Sequence, residues 1–432
     1  MKFKFAHISD CHLGAWRKES LNHAGYDAFQ QMIDQILAQD IDFVLICGDL
    51  YDTSNPKVDV VDLATRELTR LSDNNIPVYG IMGSHDFSPS NKSMIRPLIS
   101  AKLFTNVFRG NVNEQDQIVL DFTEDPRTNI KLTGLRARKR GLEIEDYKDL
   151  ERDSLEHEKG NKIFLLHTML TELKPAEYKE MKSGPKSLLP RGFIYYAGGH
   201  VHKTIPERLR KEPITITPEK ELNNKVVYPG CLFPRNFREL EQFQHGGYCI
   251  VEGNSETRNL TVEFMPIQVK DVVTLHIDGR NKSVQKVKEH IDEEMYAKDL
   301  QDKIVTVRIE GELASGKSYE IGVNEIVERM KKQGAFEVLV NKMKLTSKEV
   351  AASRVETGEN LEEIEERYIY EHAQKSEIGP LSAQDLEKKI HRLIDVMGQE
   401  PEPGMKKKDF MRGLVNSFLK IMEINRSGAD RT

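Results

Sequence analysis

Five short apolar runs in this chain each give way to aspartate, histidine or glycine, and that recurrence constrains the fold more than any other feature. Phe3–Ile8 leads into Asp10-Cys-His12, and 42–47 (DFVLIC) leads into Gly48-Asp49-Leu-Tyr-Asp52. Val78–Met82 leads into Gly83-Ser84-His85-Asp86, Lys162–Leu166 ends at His167, and Phe193–Ala197 precedes Gly198-Gly-His200-Val-His202. Runs of this length bounded by glycine read as buried strands. Helical apolar spacing over Tyr26–Leu37 and Asp59–Leu71 separates the first three, so the rhythm is β-α-β-α-β. In such sheets the carboxyl ends of the strands share one crevice. Residues distant in sequence therefore meet there.

The chemistry of the shared residues points to metal. Imidazoles suit transition ions and carboxylates accept harder ones. Asp-x-His or His-x-His beyond a strand sends two side chains to one place. Asp49 has two carboxylate oxygens and can bridge two ions at the usual spacing of about 3.5–4 Å. Any one fragment alone reads more simply as a capped surface turn or a structural histidine; five in order, each at a strand end, do not.

Further strands are expected at Ile130–Leu135, Val226–Tyr228 and Tyr248–Glu252, the last in an antiparallel meander. Residues 1–268 are expected to form an α/β layered domain. A small α+β module follows at 269–343, with strands at Val272–Ile277, Lys303–Ile309 and Phe336–Asn341 and helices at Ser283–Tyr296 and Tyr319–Lys332. Residues 344–380 read as an acidic linker, with nine acidic and three basic residues between 349 and 379. Two amphipathic helices close residues 381–425, one striped by Leu386, Ile390, Leu393, Ile394 and Met397, the other by Phe410, Leu414, Val415, Phe418 and Met422. Short isolated helices are unstable alone, so these stripes call for a partner surface.

Composition narrows the class. The 432 residues suit two or three domains. A net charge of −6 excludes binding of nucleic acid by bulk charge but not by a local patch. Four scattered cysteines fit reduced thiols. The N-terminus lacks the apolar core of a signal peptide, and no run reaches the length of a membrane span, so a cytoplasmic protein is expected, with no membrane partner.

HISDCHLG, ICGDLYD, GSHD, LLH and GGHVH resemble the five motifs of the calcineurin-like metallophosphoesterases. With the small module and the final helices, the chain is similar to the archaeal Mre-eleven/SbcD family of DNA-break-repair nucleases, well over residues 1 to about 340 and more loosely beyond. The resemblance implies an α/β fold with a two-layered mixed β-sheet sandwich flanked by helices, and two Mn²⁺ per subunit, with Mg²⁺, Fe²⁺ or Zn²⁺ as alternatives. One ion would take Asp10, His12, Asp49 and His202; the other would take Asp49, His167, His200 and position 84. The family pattern there is Gly-Asn-His, whereas this chain has Ser84, whose hydroxyl is a weaker ligand. Some relatives carry histidine where Asp52 stands, so Asp52 is expected to orient a ligand histidine. His85 is expected in catalysis, with Asp86 holding its ring. DNA phosphates are expected on Arg17, Lys18, Ser90, Asn91, Lys92 and the cationic run Arg136, Arg138, Lys139, Arg140. The resemblance further implies a homodimer, for which the first two helices offer an apolar face. It also implies a Rad-fifty/SbcC-type ABC ATPase docked on the terminal helices. The activity implied is 3′–5′ exonuclease and single-strand endonuclease cleavage. A nucleotide or protein phosphoesterase and a non-catalytic scaffold are the alternatives.

Overall fold

In the computed structural model the described residues are 1–88, 92–138, 141–347, 369, 373, 382–397 and 407–422. Ser90, Asn91, Lys139, Arg140 and most of the acidic stretch lie outside them. The strands that matter here run β1 (Lys2–Ile8), β2 (Phe43–Cys47), β3 (Val78–Ile81), β4 (Thr105–Asn106), β5 (Thr123–Glu124), β6 (Lys131–Leu135), β7 (Lys162–His167) and β8 (Tyr195–Gly199). After them come β9 (Ile214–Ile216), β10 (Val226–Val227), β11 (Gly246–Asn254) and β12 (Leu260–Ile267). They form two mixed sheets. The first has the order β9-β12-β11-β1-β2-β3-β4, and the second β10-β8-β7-β6-β5. β1 to β4 are mutually parallel, while β11, β12 and β9 add antiparallel. β6, β7, β8 and β10 are parallel.

The continuous apolar runs have a direct cause: both faces of the first sheet are covered. Phe5, Phe43, Leu45 and Tyr79 meet Leu132, Ile163, Leu165 and Tyr195 of the second sheet. The alternate residues Ala6, Ile8, Val44 and Ile46 face helices α1 (Glu19–Leu37) and α2 (Val58–Asp73). In α1 the stripe Leu21, Ala24, Ala28, Phe29, Met32, Ile33, Ile36 is buried. The buried stripes of both helices pack on their own sheet.

Residues beyond β12 build a four-stranded parallel sheet from β13 (Val272–Asp278), β14 (Ile304–Leu313), β15 (Glu337–Asn341) and β16 (Leu345–Ser347). Its own core includes Leu275, Val307, Ile291 and Met330. The expected Tyr319–Lys332 helix is divided: a 3-10 turn at Ser318–Ile321 breaks at Gly322 (φ 72°) before a helix at Val323–Lys332. The module and the sandwich form one compact unit, Met1–Ser347. Ile304, Val272 and Phe336 join the sandwich core. Glu337 accepts from Lys18 Nζ at 2.8 Å and Ser20 Oγ at 2.6 Å. Arg308 pairs with Glu241 on helix α3 (Phe237–Phe243) at 3.0 Å.

A second unit spans Lys348–Thr432. Within it α4 (Ala383–Met397) and α5 (Lys407–Ile421) are paired, with Lys389 Nζ donating to the Ile421 carbonyl at 2.7 Å. Ser382 caps α4 by accepting from Asp385 N–H at 3.2 Å. Leu386 is buried, whereas Val415 and Phe418 are 45% and 44% exposed. Among the described residues no helix is long and apolar enough to cross a membrane.

Candidate metal centre

The carboxyl ends of β1, β2 and β3 meet those of β7 and β8 at one point. Glycines permit the approach. A methyl at Gly199 would collide with the Cys47 carbonyl, and Gly48 (φ 91°) lies against the His167 ring. Asp10, His12, Asp49 and His200 all hold positive φ, at 52°, 44°, 53° and 85°. Such conformations cost roughly 1–3 kcal/mol each in non-glycine residues and persist only where surroundings over-determine them. Here Asp10 N–H donates to the Gly48 carbonyl and its carboxylate accepts from His200 N–H at 3.0 Å. Asp49 Oδ1 accepts from His85 N–H at 2.7 Å.

Asp10, His12 and His202 offer ligand atoms within one small volume, and so do Asp10, Asp49 and His167. Three histidines have their outer nitrogens fixed. His12 Nδ1 lies 3.1 Å from Asp52 Oδ1, and His202 Nδ1 lies 2.8 Å from Glu239 Oε1. His167 Nδ1 donates to the Cys47 carbonyl at 2.7 Å. With the proton held on Nδ1, each Nε2 presents its lone pair inward. His12 Nε2 and His202 Nε2 then face one another at 3.0 Å. His167 Nε2 is buried without a hydrogen-bond partner, 3.2 Å from Asp49 Oδ2. With these Nε2 atoms deprotonated, the His12–His202 contact and the approach of His167 to Asp49 are unfavourable, so each calls for a proton or a metal ion at that point. The donor set therefore fits bound transition ions.

The electrostatics agree. Burial pushes His12 below the usual imidazole range against the opposing pull of Asp52 and Asp49, with His202 and Arg235 adding to the fall. Burial pushes His200 down to about 4, with the charge on His167 lowering it further. Burial also opposes charge on His167 and His202, yet Asp49 and Glu239 respectively outweigh it and hold both above the usual imidazole range. Protons on those two rings stand where ions would bind. Burial raises Asp49, but His167 and His12 hold it well below the usual carboxylate range.

Asp52 sits beside His12, as described, and also 3.3 Å from Arg235 Nη1. Asp86 does not hold the His85 ring. Its carboxylate turns inward to accept from the backbone N–H groups of Asp49 (2.8 Å), Gly83 (2.8 Å) and Tyr51 (3.1 Å). Three N–H donors outcompete one ring for a buried carboxylate, so Asp86 braces the backbone that carries Asp49. His85 is fixed instead by the Asp52 carbonyl, which accepts from Nδ1 at 2.5 Å. Ser84 lies on the turn between Gly83 and His85, whose N–H groups are bound by Asp86 and Asp49. His200 packs edge-on to His167, with ring centroids 5.2 Å apart.

The expected DNA contacts fare differently. Lys18 is exposed and its ammonium pairs with Glu337 at 2.8 Å. Arg138 pairs with Asp146 at 2.9 Å, and Arg136 lies between Phe87 and Phe108. Arg17 and Lys92 are exposed and do not join the metal cluster.

Two residues escaped the sequence reading, Arg235 and Glu239. Arg235 Nη1 is 3.4 Å from His85 Nε2 and 3.3 Å from His12 Nδ1. Glu239 is held by Arg235 N–H and by the Asn236 side chain, which caps α3 by accepting from Glu239 N–H. Asn236-x-x-Glu239 is a capping-box pattern. It marked a helix start, but not its place beside the ions.

This sandwich with its histidine–aspartate centre defines a calcineurin-like metallophosphoesterase, and residues 3–204 match the family described as "Calcineurin-like phosphoesterase". Among curated proteins the chain is similar to several named for DNA double-strand break repair. It is 27% identical over 295 residues to "DNA double-strand break repair protein Mre11" of Methanocaldococcus jannaschii, covering 66% of this chain and 72% of that one. The protein of that name from Sulfolobus acidocaldarius is 25% identical over 311 residues, 71% of this chain and 74% of its own. The one from Sulfurisphaera tokodaii is 32% identical over 208 residues, 46% and 49%.

Proposed function

We propose that this chain is a manganese-dependent DNA nuclease, cutting as a 3′–5′ exonuclease and single-strand endonuclease at double-strand breaks. The observation that carries the metal chemistry is the inward convergence of the Nε2 atoms of His12, His202 and His167. DNA as substrate is supported by the similarity to proteins named for DNA double-strand break repair.

When bound, two such ions lower the pKa of a bound water toward neutrality and offset charge on the phosphate's non-bridging oxygens. On this reading Asp10, His12, Asp49 and His202 hold one ion, and Asp49, His167, His200 and Ser84 the other. Asp52, Glu239 and the Cys47 carbonyl orient the three ligand imidazoles. Because His85 Nδ1 is committed to the Asp52 carbonyl, Nε2 is the atom that can carry a proton to the leaving oxygen. Arg235, within reach of that Nε2, can donate to a phosphate oxygen. The chain works as a homodimer with a Rad-fifty/SbcC-type ABC ATPase on its terminal helices, a reading supported by the family resemblance and by the exposed Val415 and Phe418.

End-labelled single- and double-stranded DNA incubated with Mn²⁺, Mg²⁺ or chelator, with and without the ATPase, tests this. Mn²⁺-dependent shortening from the 3′ end is expected. Hydrolysis of free nucleotides or a phosphoprotein with none of DNA would reverse the assignment. His85→Ala should keep its metal and lose most turnover; native cleavage by that variant would remove His85 from the mechanism.

A further inference from the structure

A cavity of about 710 Å³ opens beside the His85 turn. Its walls include Phe87, Phe108, Arg109, Arg136, Val112 and Leu142. Two facts tie it to the metal centre. Phe87 follows His85 by two residues. Ala137 N–H also donates to the carbonyl of Met82, at the end of β3. The cavity is thus walled by the segment that leaves the His85 turn and by the strand end that bonds to Met82.

Its chemistry is mixed in a particular way. Arg136 lies 5.3 Å from the ring centroids of both Phe87 and Phe108. It is half-buried, and burial lowers its pKa. The nearby carboxylate, Asp146, is taken by Arg138, and among the described residues no ion pair reaches Arg136. Asp146 acts on Arg136 only through space, and a half-buried cation with no carboxylate bonded to it is favoured by an arriving anion. At the other wall Val112 and Leu142 are 62% and 46% exposed. Large apolar side chains left open beside an unpaired arginine call for a ligand that is anionic at one end and flat and apolar at the other. The volume lies within the roughly 300–1,000 Å³ of small-ligand sites.

We propose that this cavity receives an unpaired nucleobase of the strand being cut. Its phosphate lies on Arg136 and Arg109, and its ring on Phe108 between Val112 and Leu142. The proposal rests on the reading of the centre as a DNA nuclease. A base still paired in a duplex cannot enter, so the cavity would favour single strands and frayed ends. Base–aromatic stacking tolerates any base, which suits a nuclease without sequence preference.

The test places 2-aminopurine at successive positions of a single-stranded oligonucleotide and follows its fluorescence on binding to the full chain. Position-specific quenching is expected at one or two adjacent nucleotides. Val112→Asp and Leu142→Asp, both at exposed positions, should abolish that quenching and weaken oligonucleotide binding about tenfold. Hydrolysis of bis(p-nitrophenyl) phosphate should stay within twofold, showing an intact metal centre. Unchanged quenching in both variants, or uniform quenching at every position, would overturn the cavity assignment alone. Failure of the unaltered protein to bind any oligonucleotide while still hydrolysing the small diester would overturn the DNA reading and the cavity together.

Discussion

Glu239 touches His202 from outside the ligand cluster, yet it decides which nitrogen of that ring carries the proton. Carboxylates behind ligand histidines are worth about 10–100-fold in metal affinity. Glu239→Gln should therefore lower Mn²⁺ affinity by about that factor, read by competition with a chelating dye, while leaving the fold intact. His167 gives the pH dependence. Burial lowers it, but Asp49 outweighs burial and raises it above its ordinary value of about 6.5. Without metal, the pair's stabilisation is complete below the ordinary imidazole range and is lost as pH rises through the elevated value. An incoming ion must displace the same proton, so apparent metal affinity should climb with pH above neutrality, by up to about tenfold per unit. Calorimetry in buffers of different ionisation enthalpy would show the proton release; a pH-independent affinity would contradict the pairing. At position 84, Ser84→Asn would supply the amide of the family pattern, and a tighter second site is the expected result in a metal titration.

Between elements, the decisive contact is the approach of the two sheets at their carboxyl ends. Gly199→Ala would push its methyl into the Cys47 carbonyl. Overpacking of this kind costs about 1–3 kcal/mol, so a lower melting temperature and lost metal should appear together. Glu337 makes the second joint. Burial raises its carboxyl, but Lys18, Ser20 and Lys331 hold it down to about 2. Its contribution is present above its ordinary range near 4.5 and fades as pH falls toward 2. Limited proteolysis near residue 270 should accelerate below pH 4, and Glu337→Gln should show that acceleration already at neutral pH. The small module also meets α3, where Arg308 pairs with Glu241 two residues from Glu239. Movement of the module would be felt at His202 through that helix.

For the whole molecule, the terminal helices belong to a unit distinct from the catalytic one. Truncation after residue 375 should preserve phosphodiester hydrolysis and abolish capture of the ATPase in a pull-down; retained capture would place the docking surface elsewhere. The same partition shows what was legible. Period-two burial on β1 and continuous burial on β2 are written in apolar runs, because a strand covered on both faces must be apolar throughout. The break of the 318–332 helix was not legible, since Gly322 inside an apolar pattern does not announce a positive φ. The fate of the cationic run was equally hidden, because a linear run of arginines does not say which carboxylate or ring each will meet.

The residues alone determined the strand–helix rhythm and the identity of the donor atoms, since these follow from local spacing and from the chemistry of imidazole and carboxylate. Only the tertiary structure decided the orientation of those atoms. It turned Asp86 from the His85 ring to the backbone of Asp49, committed Lys18 to Glu337, and brought Arg235 and Glu239 from beyond β10 to the edge of the centre. Those outcomes depend on which groups compete for a partner at about 3 Å, and that competition exists only once distant segments are packed together.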